Sequence, residues 1–225
     1  PIQRLLTSPR DLEQGVAHEL RTPLAQLKFD LELARSSRTD AERENRFASM
    51  SRDVADLEEL VNELLLIANL RQAPPYHPNP VPARVLMDDV IRRARDEMRA
   101  LGRDVAIEPP RNLPETFECD GKFLVRALVN VVRNAVLHAK SRVVLTVEQA
   151  AGRTTVHVDD DGPGIAPADR ERLFAPFTRA ESSRDRESGG VGLGLAIVKS
   201  VAEWHGGSAR IQDSPLGGAR VSIAW

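Results

Sequence analysis

The run Ala17-His18-Glu19-Leu20-Arg21-Thr22-Pro23-Leu24 gathers a nucleophile, a carboxylate and a hydroxyl within a short stretch. Leu20, Leu24, Leu27 and Leu31 recur at steps of four, three and four, one apolar stripe if successive residues turn by about 100°. By that count His18 lies roughly 160° from Leu20, on the outward face. An imidazole held off the core is free to react. Its neutral form offers a lone pair near pH 7, and Glu19 beside it can fix the tautomer. Thr22 stands one turn above His18. Pro23 takes the helical partner from the Glu19 carbonyl and predicts a bend. Taken alone, His18 reads more readily as a solvated residue on a bundle helix than as a reactive one. Only a reaction partner elsewhere in the chain gives it chemistry.

Four later clusters supply candidates. Asn130, Asn134 and His138 are spaced by four on one helical face, where amide oxygens suit a hard cation such as Mg²⁺ and the imidazole suits a base or phosphate. Val158-Asp159-Asp160-Asp161-Gly162-Pro163-Gly164-Ile165 ends a strand in a carboxylate and two glycines, so Asp161 can accept from an exocyclic amine such as that of adenine. Leu173-Phe174-Ala175-Pro176-Phe177-Thr178-Arg179 is an aromatic cluster in a chain only 4% aromatic. The polar run from Ala180 to Ser188 after it predicts a mobile lid, with Arg179 in reach of phosphates. Gly189-Gly190-Val191-Gly192-Leu193-Gly194-Leu195 then leads into a helix, an arrangement that offers backbone amides to phosphate.

These residues need elements to hold them. Periodicity predicts one helix from about Ser8 to Arg35 and a second, capped by Thr39 or Asp40, to about Arg71. Together they form a hairpin that cannot enclose its own apolar stripe. Four prolines between Gln72 and Pro80 predict a stiff linker. Beyond it helices and strands mix: a helix over Val81 to Leu101, short strands at 104–108 and 116–119, and a helix from Asp120 to Ala139. Strands at 142–148 and 154–159, a helix over 193–205 and strands at 208–212 and 219–224 complete an α+β sandwich.

Composition narrows the functional classes. A formal charge of -2 over 225 residues gives no electrostatic case for nucleic acid. The single cysteine, Cys119, excludes an internal disulfide and reads as a buried structural thiol. No apolar run is long enough to cross a bilayer, so no membrane contact is expected of this stretch.

With these motifs in view, the chain resembles the kinase core of a two-component sensor histidine kinase over nearly its whole length. The stretch from His18 to Leu24 is similar to that family's H-box, and the four later clusters resemble its N, G1, F and G2 boxes in the family's order. The resemblance implies a multi-domain protein. Residues 1–72 would be a dimerisation and phosphotransfer hairpin, forming a four-helix bundle in a homodimer; 73–80 would be the linker. Residues 81–225 would be an α/β, Bergerat-type ATP-binding domain like that of gyrase, the mismatch-repair ATPases and a heat-shock chaperone. It further implies ATP with Mg²⁺ as cofactors, autophosphorylation of His18 and transfer to an aspartate of a response regulator. Glu19 would act as base, and Thr22 would position water for dephosphorylating the regulator. Asn134, assisted by Asn130, would hold Mg²⁺, with His138 beside the nucleotide. Asp161, Gly162 and Gly164 would form the adenine site, and Gly190, Gly192 and Gly194 would wrap the phosphates. Phe177, Arg179, Val191 and Leu193 would line the same site. Leu137 stands where many relatives carry a basic residue, a phosphate contact that Arg179 can supply. The resemblance places this fragment in the cytoplasm of a parent anchored in the bacterial inner membrane. Two other readings share the fold: an ATPase without phosphotransfer, and a phosphatase-biased scaffold.

Overall fold

The computed structural model describes residues 9–74, 76–100, 102–150, 152–179 and 191–225, leaving aside the side chains of 9–14 and 71. Its contacts divide the chain after Leu66 into two compact units.

The first unit is helical. Helix α1 (Pro9–Ser36) runs through Pro23, and α2 (Asp40–Gln72) follows after a short turn. Thr39 caps α2: its Oγ1 accepts from Glu42 N at 3.2 Å, while Glu42 Oε2 accepts from Arg38 N and Thr39 N, a reciprocal capping box. The expected cap is therefore Thr39; the cap expected at Ser8 lies outside the described residues. The leucine stripe of α1 divides in two. Leu20 and Leu27 are half-buried in the hairpin seam with Asp30 and Ala34, whereas Leu24 and Leu31 remain exposed. On α2, Phe47, Val54 and Val61 recur every seven residues and are also exposed. This hairpin carries one apolar face inward and another outward.

In the second unit, β1 (Pro80–Pro82) pairs antiparallel with β3 (Thr116–Glu118). A five-stranded sheet has the order β2 (Ala106–Glu108), β4 (Arg142–Ala150), β5 (Arg153–Asp160), β7 (Ala219–Ala224), β6 (Ser208–Asp213). Only the β2–β4 pair is parallel. Helices α3 (Ala83–Ala100), α4 (Gly121–His138) and α6 (Gly194–Trp204) form the other layer. Strand alternation builds the core: Val143 and Leu145, Val156 and Val158, and Val221 and Ile223 are buried on one sheet face. Leu128, Val131 and Val132 of α4 and Ile197, Val198 and Val201 of α6 close over them. Asp120 caps α4 as expected, accepting from Phe123 N at 3.1 Å.

The helix expected from Val81 begins instead at Ala83, because Pro80 of the linker, Val81 and Pro82 join a strand. A proline is tolerated there since β1 is an edge strand of a two-stranded sheet. The stretch before it is also docked. Tyr76 Oη donates to Glu118 O at 2.7 Å, Trp204 Nε1 donates to Pro74 O at 3.0 Å, and Cys119 N donates to Asn79 O at 3.0 Å. Proline density thus produces an extended strap fastened to the second unit. Two short elements escaped periodicity: α5 (Pro167–Arg170) and a 3-10 turn over Arg172–Phe174.

Candidate nucleotide and phosphoacceptor sites

His18 sits on the exposed side of α1, as does Thr22, while Glu19 is half-buried. Among the described residues none of the three side chains is tied to a neighbour. The helix presents the imidazole to solvent.

In the second unit, α4 carries the row, and its last turn reaches the end of β5. Asn130 is 5% exposed, Asn134 is half-buried, and His138 is exposed at the last turn. Loss of hydration holds the His138 pKa below its ordinary value; Asp160 pulls it up, and Arg103 and Arg179 push it down. The turn beyond His138 is fastened from both sides. Arg103 Nη2 donates to Val136 O (3.3 Å) and Ala139 O (2.6 Å), taking carbonyls that the helix leaves open. Asp161 accepts from the amides of Lys140 (2.8 Å), Ser141 (3.1 Å) and Arg142 (3.2 Å), and from Ser141 Oγ (2.6 Å).

That geometry occupies Asp161, the carboxylate expected to read adenine. Its two oxygens are committed to the Ser141 hydroxyl and the Lys140–Arg142 backbone, and those bonds hold its pKa well below the usual carboxylate range. The neighbouring Asp160 has the opposite setting. It is 5% exposed, and burial raises its pKa against the amides of Ala219 and Gly162, both of which donate to Oδ1 (3.1 and 2.8 Å). Gly162 and Gly218 make room around it. A side chain at Gly162 would lie 2.5 Å from His138 O, and one at Gly218 would lie 2.2 Å from Asp160 Oδ1. Gly164 takes φ +75°, which favours glycine. Asp160, Gly218 and Ala219, which the sequence motifs did not single out, converge at this point. Strand parity was the available signal for Asp160, since it continues the inward series Val156, Val158.

The aromatic cluster and the glycine loop interlock. Leu173 and Phe174 are buried, and Phe177 N donates to Gly192 O at 3.0 Å. Phe177 adopts φ 60°, unusual for a bulky residue and located beside the loop. A side chain at Gly192, itself at φ +79°, would lie 3.1 Å from the Phe177 backbone. Val191 is half-buried, whereas Leu193 is a core anchor at 1% exposure and offers a ligand only its backbone. Gly194 opens α6. Gly190 and the expected lid from Ala180 to Ser188 lie outside the described residues, and Arg179 is half-buried with an interaction of its own.

Among the described residues no group of three His, Cys, Asp or Glu side chains converges as a metal cage. A cation here would take amide oxygens from α4 and the rest of its shell from phosphate and water, which suits Mg²⁺.

Comparison with known proteins agrees with this arrangement. Residues 10–73 match the His Kinase A (phospho-acceptor) domain, and residues 119–225 match the histidine kinase-, DNA gyrase B- and HSP90-like ATPase family. The chain belongs to the sensor histidine kinases. It is 34% identical over 222 residues to the sensor histidine kinase CpxA of Escherichia coli K12, covering 99% of this chain and 48% of that protein. It is 36% identical over 226 residues to the sensor protein RstB of the same strain, covering 100% of this chain and 50% of that one. The chain thus spans about half the length of the curated relatives it matches. Among solved structures, the Acinetobacter baumannii histidine kinase AdeS shares the fold, with a TM-score of 0.72 at 21% identity over 92% of this chain and 96% of that one. Full-length ShkA in complex with AMPPNP gives a TM-score of 0.63 at 27% identity, over 96% of this chain and 45% of that one.

Proposed function

We propose that the chain is the catalytic core of an ATP-dependent protein-histidine kinase that phosphorylates His18 and passes the phosphoryl group to an aspartate of a response regulator. The observation that carries this reading is the pairing, in one chain, of an exposed His18 beside a half-buried Glu19 with a glycine loop entering α6 beside the buried Asn130. The AMPPNP complex of the ShkA relative supports the nucleotide class.

Asp160, rather than Asp161, accepts from the adenine amine; Asp161 and Arg103 hold the turn that forms one wall. Gly162, Gly164 and Gly218 admit the flat base. Gly192 and Gly194 leave backbone amides for the phosphates, and the start of α6 adds partial positive charge. Asn130 and Asn134 would hold Mg²⁺, which would supply charge neutralisation on the phosphates. An imidazole nitrogen of His18 forms the new bond to the γ-phosphorus as the bond to the ADP oxygen breaks. Glu19 takes the proton released from the ring. Thr22 orients water for the reverse traffic, hydrolysis of the phosphorylated regulator. The exposed second apolar face of the hairpin supports a homodimer. A membrane-anchored parent accords with the family, and no described helix is long and apolar enough to cross a membrane. An ATPase without phosphotransfer leaves the exposed His18 and its neighbour Glu19 without work.

Incubation with radiolabelled ATP and Mg²⁺ should give an acid-labile, alkali-stable phosphoprotein that His18→Gln abolishes. Labelling that survives this substitution removes His18 from the reaction. Thr22→Ala should lower regulator dephosphorylation while leaving autophosphorylation unchanged.

A further inference from the structure

We infer that Arg133 is a phosphate-binding residue, gripping the triphosphate where α6 begins; this rests on reading the site as an ATP site. Gly194 opens α6, an 11-residue helix whose first amides have no partners inside it. A side chain at Gly194 would lie 3.2 Å from Asn130 Oδ1 and 3.5 Å from Arg133 Nη2. The missing side chain therefore lets three groups meet: the α6 amides, a buried amide oxygen and a guanidinium.

Two of those groups lack partners. Asn130 is 5% exposed, yet among the described residues its side chain makes no hydrogen bond. Its amide is thus open to a ligand at the start of α6. Arg133 is half-buried and, among the described residues, has no hydrogen-bond or ion-pair partner. Three other arginines of the unit are committed to carboxylates: Arg142 to Glu108, Arg172 to Asp169, and Arg220 to Asp159 through two bonds of 2.8 Å. Arg133 instead faces the positive end of a helix. Two positive groups directed at one point repel each other until an anion comes between them. A phosphate fits that gap, since the guanidinium fork matches its oxygens bidentately and the helix amides complete the contact. Arg133 also lies one turn before the uncharged Leu137, so it brings a cation to that side of α4.

Calorimetric titration of the full chain with Mg²⁺-ATP and with adenosine tests the assignment. Arg133→Met should weaken ATP at least about tenfold while leaving adenosine unchanged, and Arg133→Lys should recover part of the loss. ATP affinity unchanged in Arg133→Met overturns the assignment, as does an equal loss of ATP and adenosine, which marks a disturbed pocket. Failure of the unaltered chain to bind either ligand would instead defeat the ATP-site reading on which it depends.

Discussion

Asp160 and Asp161 are chemically identical neighbours with opposite surroundings, and the difference decides what each can do. The Asp160 carboxylate is buried and accepts only two amides, both on one oxygen, so the other can receive a ligand donor. The Asp161 carboxylate is saturated by the turn it holds. Asp160→Asn should therefore weaken ATP by about 10- to 100-fold, the loss of a charge-assisted hydrogen bond of about 1.5–3 kcal/mol. Asp161→Asn should leave ATP affinity within about threefold, because one amide oxygen still accepts the backbone donors; fluorescence titration of both variants separates the roles. The pH dependence has a definite sign. Burial raises the Asp160 pKa above 3.8, and the adenine amine needs the ionised form. ATP affinity should fall as pH drops through that raised value, and Asp160→Asn should lose this dependence. Asp161 was the legible carboxylate because it directly precedes the glycines. Counting the strand alternation from Val156 instead selects Asp160, the last inward position before the chain turns.

At the scale of elements, the helices with long apolar periods were readable, as were β4, β5, β6 and β7. Elements made by long-range contact were not. β1 exists because Pro80–Pro82 finds β3, a partner 36 residues distant at Val81↔Phe117, and nothing local announces it. The hairpin also hides polar groups inside its seam. Asp30 Oδ1 accepts from Arg46 Nη1 at 3.2 Å, but Asp30 Oδ2 and Asp53 Oδ2 are buried with no hydrogen-bond partner among the described residues. Burial raises the Asp53 pKa, followed by Asp30 and Asp56, while Arg52 opposes them. A carboxyl whose folded pKa is raised stabilises the fold below its unfolded value, and that contribution is lost as pH rises through the folded value. Asp53→Leu should consequently stabilise the hairpin by about 1 kcal/mol at neutral pH. The advantage should shrink as pH falls toward 3.8, as read by thermal unfolding of the full chain.

For the whole molecule, the outward face of the hairpin implies association. Val54 (44% exposed) and Val61 (45%) sit at its centre, with Leu24 and Leu65 at 54%. Val54→Glu with Val61→Glu should convert a dimer to a monomer by mass photometry or sedimentation, since charges in an apolar seam stay unpaired. The docked strap changes where the ATP-binding unit starts. The Tyr76 ring lies 4.4 Å from that of His205 and 5.6 Å from that of Trp204, and His205 Nε2 accepts from Asp120 N, the residue capping α4. A unit excised from Val81 onward should melt below one excised from Ile67 onward, as calorimetry of the two would show. The lone thiol has a practical consequence for measuring motion in this protein. Cys119 is fully buried and its pKa is pushed up to about 12 by burial, then by Asp120 and Glu118, so almost no thiolate exists at neutral pH. A cysteine introduced on each unit can therefore carry a maleimide dye or spin label without first removing the native one. Distances between helix and nucleotide pocket during turnover become accessible to spectroscopy in an otherwise unaltered chain.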